Sequence, residues 1–384
     1  MTDSPLFPAP QGGRPAPSFA LDNPRLESLK FSYIKRPGLL KITLVNFVFN
    51  ILTLSLYRFW GKTNVRKHIW SSIHINGEPL EYTGTGMELF KGFIIVFGLI
   101  ILPFVLLSAI LRAVYGDNSP AAAAVSSLFG LFIYVMLGYA IYKARKYQLT
   151  RTLWRGIRGN LAGSAMTYSL TYFGSMLAKG FSLGWATPVM NTVLHEHITN
   201  DMRFGDAAFK FKGRAGPLYG TFALCWIMTG VLIVVGIFLI VFAGSEVDKL
   251  WPGLDKSKDT SLIAWLVFWG VLAFISYMLL IPALWSLYSA KQMRKFADYT
   301  RFDGAQFKLE ARAGSIVWLA VANLLIYIFT LGFGWPFVQQ RTFRYMIDRL
   351  KLEGAIDLER IKQSTLAIPT RGEGLADAFD VGAW

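Results

Sequence analysis

Charge is what this sequence has least of. Only 16% of its 384 residues are Asp, Glu, Lys or Arg, against 53% hydrophobic, whereas soluble globular chains carry about 25% charged residues. The deficit is concentrated: Gly92–Leu111, Ala121–Tyr142, Pro217–Ala243 and Ser261–Ser289 contain no charged side chain at all. About 20 residues rising 1.5 Å each cross the roughly 30 Å hydrocarbon core of a bilayer, so every one of these runs is long enough. A soluble globular fold is excluded as the expectation.

Cysteine is nearly missing. Cys225 is alone and sits inside an apolar run, which rules out a disulfide framework within the chain. Histidine is scarce too, and His195-Glu196-His197 is the nearest approach to a metal motif. Residues two apart on a helix diverge by about 200°, so one helical face cannot offer both rings to one ion, and no metal site is expected. Gly84-Thr85-Gly86 lacks the following Lys of a phosphate-binding loop. Neither a Gly-x-Ser-x-Gly elbow nor a His-Glu-x-x-His pair occurs, and no carboxylate pair lies within an apolar run. No catalytic residue, cofactor or enzymatic activity is therefore expected.

Acids are outnumbered, 24 against 39 Lys and Arg. The surplus does not point to nucleic acid, because the cations crowd into short loops beside the apolar runs. Lys143–Ser164 holds six and no acid, and Lys291–Arg312 holds six more. That fits cytoplasmic loops under the positive-inside rule and anionic lipid headgroups as partners; the sequence names no protein partner. Arg112–Pro120 and Gly244–Thr260 are poor in cations, the latter with Glu246, Asp248, Asp255 and Asp259, and belong outside. Residues 1–25 are Pro-rich without an apolar core, so no cleavable signal peptide is expected. The division is a disordered tail (1–30), a repeat-containing membrane domain (31–355) and a polar C-terminal tail (356–384).

What is abundant is self-similarity. Aligning Thr53 with Ser182 and Thr330 needs no gap for about twenty-five residues; Phe59, Pro188 and Pro336 then coincide, as do His68, His197 and Tyr345. The polar residues match as well. Asn46, Ser175 and Asn323 are equivalent, then Asn50, Lys179 and Tyr327, then Thr53, Ser182 and Thr330. Spacing of i, i+4, i+7 within each copy sets its three residues on one helical face, and polar groups in an apolar segment should face protein or water. These nine residues are either interhelical hydrogen-bonding glue or the lining of a polar path. Around Asn76-Gly77, Gly205-Asp206 and Asp303-Gly304, apolar residues alternate as in short β-hairpins.

The run Phe31–Gly86, with Thr-Leu-Ser-Leu-Tyr-Arg-Phe-Trp at Thr53–Trp60, Val65-Arg66-Lys67-His68 and Tyr82-Thr83-Gly84-Thr85-Gly86, resembles the YjgN family of bacterial inner-membrane proteins, a domain of unknown function. The resemblance extends over roughly Phe31–Gly354, with Gly61 and Asn64 as mild departures. It implies a multi-pass protein of the bacterial cytoplasmic membrane and supplies no activity.

The expected fold is all-α and polytopic, with internal repeats: four strong spans plus three repeat segments (about Leu39–Tyr57, Ala165–Trp185 and Ser315–Trp335), up to seven transmembrane helices, and short β-hairpins in the basic loops. Seven plain spans need no special cavity and are the simpler reading. If the middle segment crosses, however, the basic loop Thr187–Gly216 falls on the side of the acid-balanced Arg112–Pro120. Re-entrant or surface-lying repeat segments would remove that conflict. Two functions remain open: a transporter or channel whose path the three repeat segments line, and a non-transporting scaffold or lipid-interacting protein using its basic cytoplasmic loops.

Overall fold

The computed structural model describes residues 26–116, 119–250 and 260–366. The Pro-rich segment 1–25, Asp255 and Asp259 of the acidic loop, and residues 367–384 of the polar tail lie outside it.

The chain opens with β1 (Leu26–Glu27) and β2 (Phe31–Tyr33), then α1 (Leu39–Leu52), α2 (Arg58–Trp70), β3 (Ile73–Ile75), β4 (Glu78–Pro79) and β5 (Glu81–Tyr82). One continuous helix follows, from α3 (Gly86–Val96) through a π-helical turn (Phe97–Ile101) into α4 (Leu102–Tyr115), and α5 (Pro120–Thr150) comes next. Then come β6 (Thr152–Trp154), β7 (Ile157–Leu161), α6 (Ala165–Phe181), α7 (Thr187–Asp201), β8 (Met202–Phe204) and β9 (Ala207–Phe211). The rest is α8 (Gly216–Leu250), α9 (Thr260–Tyr299), β10 (Thr300–Phe302), β11 (Ala305–Leu309), α10 (Ala313–Phe329), α11 (Trp335–Ile347), β12 (Leu350–Glu353) and β13 (Ile356–Asp357). Local chemistry sets the helix starts. Thr85, Ser119 and Ser164 each accept the backbone N–H three residues on, satisfying a donor that the first turn leaves free.

Among the described residues four helices, not seven, are long and apolar enough to cross a membrane: Gly86–Tyr115, Pro120–Thr150, Gly216–Phe238 and Phe268–Tyr299. The three segments that would make seven are shorter. α1 has 14 residues, and α6 and α10 have 17 each, and each reverses through a tight turn onto a second, polar helix: α1 onto α2, α6 onto α7, α10 onto α11. The turns share one geometry. Left-handed φ falls on Leu54 and Ser55, on Leu183 and Gly184, and on Leu331 and Gly332. Ser55 N–H reaches Asn50 O at 2.6 Å, Gly184 N–H reaches Lys179 O at 2.8 Å, and Gly332 N–H reaches Tyr327 O at 2.8 Å. This six-to-one bond is how a helix end spends its orphan carbonyls. Gly184 and Gly332 take that φ without strain.

The all-α expectation also needs correcting, because a sizable sheet is present. Eight antiparallel strands run in the order β12-β11-β10-β9-β8-β7-β6-β5, beside a three-stranded sheet β2-β3-β4 and the pair β1-β13. Strands of two to five residues carry too little periodicity to announce a sheet of that size. Alternation along the strands gives it two faces. Phe204, Phe209, Phe302 and Phe307 pack with Ile356 and Ile361 on one side. On the other, Arg301 is in register with Lys210, and Lys308 with Lys351.

Strand pairing brackets every helical excursion. β2 pairs with β3 around α1 and α2, β7 with β8 around α6 and α7, and β11 with β12 around α10 and α11. The pairs β5–β6 and β9–β10 bracket the longer excursions of α3–α5 and α8–α9. The helices form a closed circuit in which α5 packs on α6, α9 on α10, and α11 touches both α1 and α2.

Candidate ligand cavity

Where the circuit closes, a cavity of about 320 Å³ opens between α1, α2 and the turn leading into α11. α2 contributes Arg58, Lys62 and Arg66, which at i, i+4, i+8 stand on one helical face. α1 contributes Thr43, Asn46 and Asn50, and the far wall is Gly332, Phe333, Trp335, Pro336 and Gln339. Gly61 lets α1 approach α2, since a Cβ there would lie 3.2 Å from Asn46 Cγ. Asn46, 8% exposed, uses the gap to donate from Nδ2 to Gly61 O at 3.3 Å. Its Oδ1 and that of Asn50 are buried without a partner. Arg66 is equally buried and donates to Tyr82 Oη at 3.3 Å. Phe47 and Phe333 meet edge to face, centroids 4.2 Å apart, joining the first helix pair to the third.

Of the nine residues expected on a polar path, Asn46 and Asn50 line this cavity. Thr53, Ser182 and Thr330 do something else: each is a stitch across its turn. Thr53 Oγ1 donates to Phe49 O at 2.6 Å and accepts Tyr57 N–H at 2.9 Å. Thr330 repeats this with Ile326 O and Gly334 N–H, and Ser182 with Lys179 O and Ala186 N–H. Asn323 ties α10 to α11 through Thr342 Oγ1 at 3.1 Å. Tyr327 and Lys179 are exposed and Ser175 is half-buried on α6; none of the three lines the cavity. Thus the first and third segments come together there, and the middle one does not. The cations of α2 were the residues missed. Their four-residue spacing was legible, but nothing in the sequence brings that face against α1 and the turn into α11.

Two further polar clusters tie helix to helix, α3 to the end of α5 and α7 to α5. Glu88 takes Arg151 Nη2 at 2.7 Å and the Tyr147 hydroxyl at 2.6 Å, and Asp201 takes the Tyr142 hydroxyl at 2.8 Å. The His195-Glu196-His197 run is split, as helix geometry requires. His197 Nε2 lies 3.8 Å from Asp201, while His195 stacks on Phe296 and edges Phe211, at 4.5 and 4.9 Å. Among the described residues no group of three or more His, Cys, Asp or Glu is placed to hold a metal ion.

Burial between those rings, and secondarily the nearby Arg145 charge, pushes His195 down from 6.5 to about 4. The folded state therefore refuses a proton that the unfolded chain accepts, so stability declines as pH falls from 6.5 towards about 4. Thermal unfolding in detergent should show this acid limb, and His195→Phe, which keeps an aromatic ring between the two Phe, should flatten it. An unchanged limb in the variant would assign the pH dependence to other groups.

Over the four long helices only 6–11% of the most apolar stretch is buried inside the protein. Apolar side chains such as Leu99, Val234, Phe238 and Phe274 face outward, which is the arrangement of a multi-pass integral membrane protein. The chain belongs to the family described as bacterial protein of unknown function (DUF898), which it matches over residues 35–378. It is 32% identical over 116 residues to the inner membrane protein YjgN of Salmonella typhimurium, a stretch covering 30% of this chain. That stretch spans only 27% of the relative's length. The expected YjgN relationship is borne out. No solved structure matches the chain.

Proposed function

We propose that this is a multi-pass protein of the bacterial inner membrane in which four spans and three re-entrant helix pairs, arising from internal repeats, build the binding site of an anion transporter. The cavity walled by Asn46, Asn50, Arg58, Lys62, Arg66 and Gln339 carries the reading. Three cations and no carboxylate line it among the described residues, and solute sites in transporters are built where interrupted helices meet.

Re-entry has its own support. Strands that pair with each other cannot lie on opposite sides of a bilayer, and each helix pair leaves and rejoins paired strands. The turn tips are among the most exposed apolar residues, with Leu54 at 90%, Phe181 at 89% and Leu331 at 85%. Such tips suit lipid, and the satisfied backbone of the turns makes that burial affordable. All basic loops, Thr187–Gly216 included, then share the cytoplasmic side, and the charge conflict disappears. The basic sheet face of Lys210, Arg301, Lys308 and Lys351 favours the second reading, a scaffold on anionic lipid or an acidic partner.

The test has two arms. In a Cys225→Ser background, single cysteines at Arg155 and Lys212 should both resist an impermeant maleimide until cells are permeabilised; labelling of one from outside would mean that the middle pair crosses. Proteoliposomes on a solid-supported membrane should then give currents on jumps of phosphate- or carboxylate-bearing solutes, lost in Lys62→Met. No current for any anion would overturn transport and leave the scaffold reading.

A further inference from the structure

The strands close on themselves, and one segment stops the mouth that they leave. β2 pairs with β3, and β3 with β4. The run Glu78–Tyr82 carries the ladder on from β4 to β5, and β5 begins the eight-stranded order that ends at β12. A bridge from Lys30 to Lys351 joins β12 back to the start of β2, and beside it Tyr33 N–H donates to Asp348 Oδ1 at 3.1 Å. The result is a ring. The helices leave from one end of it, and the hairpin turns at Gly156, Gly205 and Gly304 lie at the other. A closed sheet has an inside, and Phe31, Ile157, Phe204, Phe209, Phe302 and Phe307 share one apolar cluster there.

Residues 356–363 lie across the turn end. Ile356 and Ile361, 0% and 5% exposed, are buried in the same cluster. Polar bonds clip the segment to three hairpin turns. Asp206 N–H donates to Lys362 O, and Lys362 N–H to Asp206 Oδ1, both at 3.0 Å. Gln363 Nε2 donates to Gly156 O at 2.9 Å, and Asp303 takes both the Asp357 N–H and the Arg360 guanidinium. The ladder of the ring runs through without any of these bonds, and β13 pairs with β1 instead. We infer that residues 356–363 are a latch, which plugs the ring in cis and comes away without unfolding it. Release exposes the Phe-lined mouth and frees the β6–β7, β8–β9 and β10–β11 turns. Those hairpins lead at their other ends into α6, α8 and α10, so the latch controls how firmly the base of the helices is held. It does so whether or not the cavity at α2 takes an anion.

Hydrogen exchange on the full chain in nanodiscs is the test. Amides of residues 356–363 should exchange about a hundredfold faster than those of β10 and β11, because the latch opens locally while the ring stays closed. Gly205→Ala presses on the latch directly, since a Cβ there would run into Lys362 O. It should speed latch exchange about tenfold further and leave β10 and β11 unchanged. Asp303→Asn, which weakens a clip without adding bulk, should act in the same direction. Ile361→Asp should hold the latch out, because a carboxylate does not enter an apolar cluster. A labelled peptide of residues 355–364 should then bind that variant and not the wild type, whose mouth is filled. Exchange of latch and ring strands at one common rate would make the segment part of the ring's core and overturn the latch. A folded Ile361→Asp chain that refuses the peptide would overturn it too. Should that chain not fold, the wild-type exchange rates decide alone.

Discussion

Gly138→Leu is expected to abolish or severely reduce the yield of folded protein. Gly138 lies in α5 where α6 crosses it, and a Cβ there would come within 2.8 Å of both Ser169 Cα and Tyr172 Cβ. The backbone of a neighbouring helix cannot move aside as a flexible side chain would. Small residues let helices approach this closely in membranes, where packing rather than hydrophobic burial holds them together. The closeness also allows Ser169 to donate its hydroxyl to Val135 O across the interface, at 2.5 Å. Overpacking costs about 1–3 kcal/mol and occasionally more; backbone contact and a lost hydrogen bond place this case at the upper end. Gly138→Ala should be intermediate. Gly130→Leu is the control, since Gly130, also in α5, has open space where a Cβ would go. Thermal unfolding in detergent should rank the three accordingly, and equal stability for the two Leu variants would sink the close-packing argument.

Arg151→Met should destabilise the fold by about 2–4 kcal/mol, the range expected when one member of a mostly buried ion pair is removed. Arg151 and Glu88 side chains are 13% and 26% exposed, so solvent screens the pair in part and the upper limit is not reached. The loss arises chiefly from the carboxylate left behind, which still receives the Tyr147 hydroxyl. Adding Glu88→Gln to Arg151→Met should therefore recover part of the stability, whereas two independent sites would add their losses. Tyr147→Phe alone should cost about 1–2 kcal/mol, the worth of a hydrogen bond to a charged group. A double-mutant cycle on unfolding free energies measures the coupling. A coupling near zero would mean that the triad does not fasten α3 to the end of α5.

Much of the protein was set locally. Four charge-free runs had to become four long helices, because nothing but lipid or a large core accommodates that many uninterrupted apolar residues. The N-caps Thr85, Ser119 and Ser164 and the turn at Gly332 follow from the chain's own residues, and the matched Thr53 and Thr330 make the same local bonds in their turns, Ser182 donating three residues back rather than four. The fate of the three shorter segments was not local. Their apolar content suits crossing and re-entry alike, whereas the strand pairs that bracket them join residues as distant as Leu161 and Met202 or Leu309 and Leu350. The size of the sheet eluded sequence reading for the same reason, since two- to five-residue strands are stabilised by partners far along the chain.

The candidate site divides the same way. Arg58, Lys62 and Arg66 share a face by helical period alone, and Asn46 and Asn50 by the same rule. That those faces meet across a cavity closed by Gly332–Gln339 depends on α11 returning to α1 and α2, nearly three hundred residues later. Sequence by itself determined which segments are helical, which are apolar and which side chains align on each. Tertiary structure alone decided which of those faces meet, because burial and hydrogen bonding are satisfied only when distant strands and helices close one circuit.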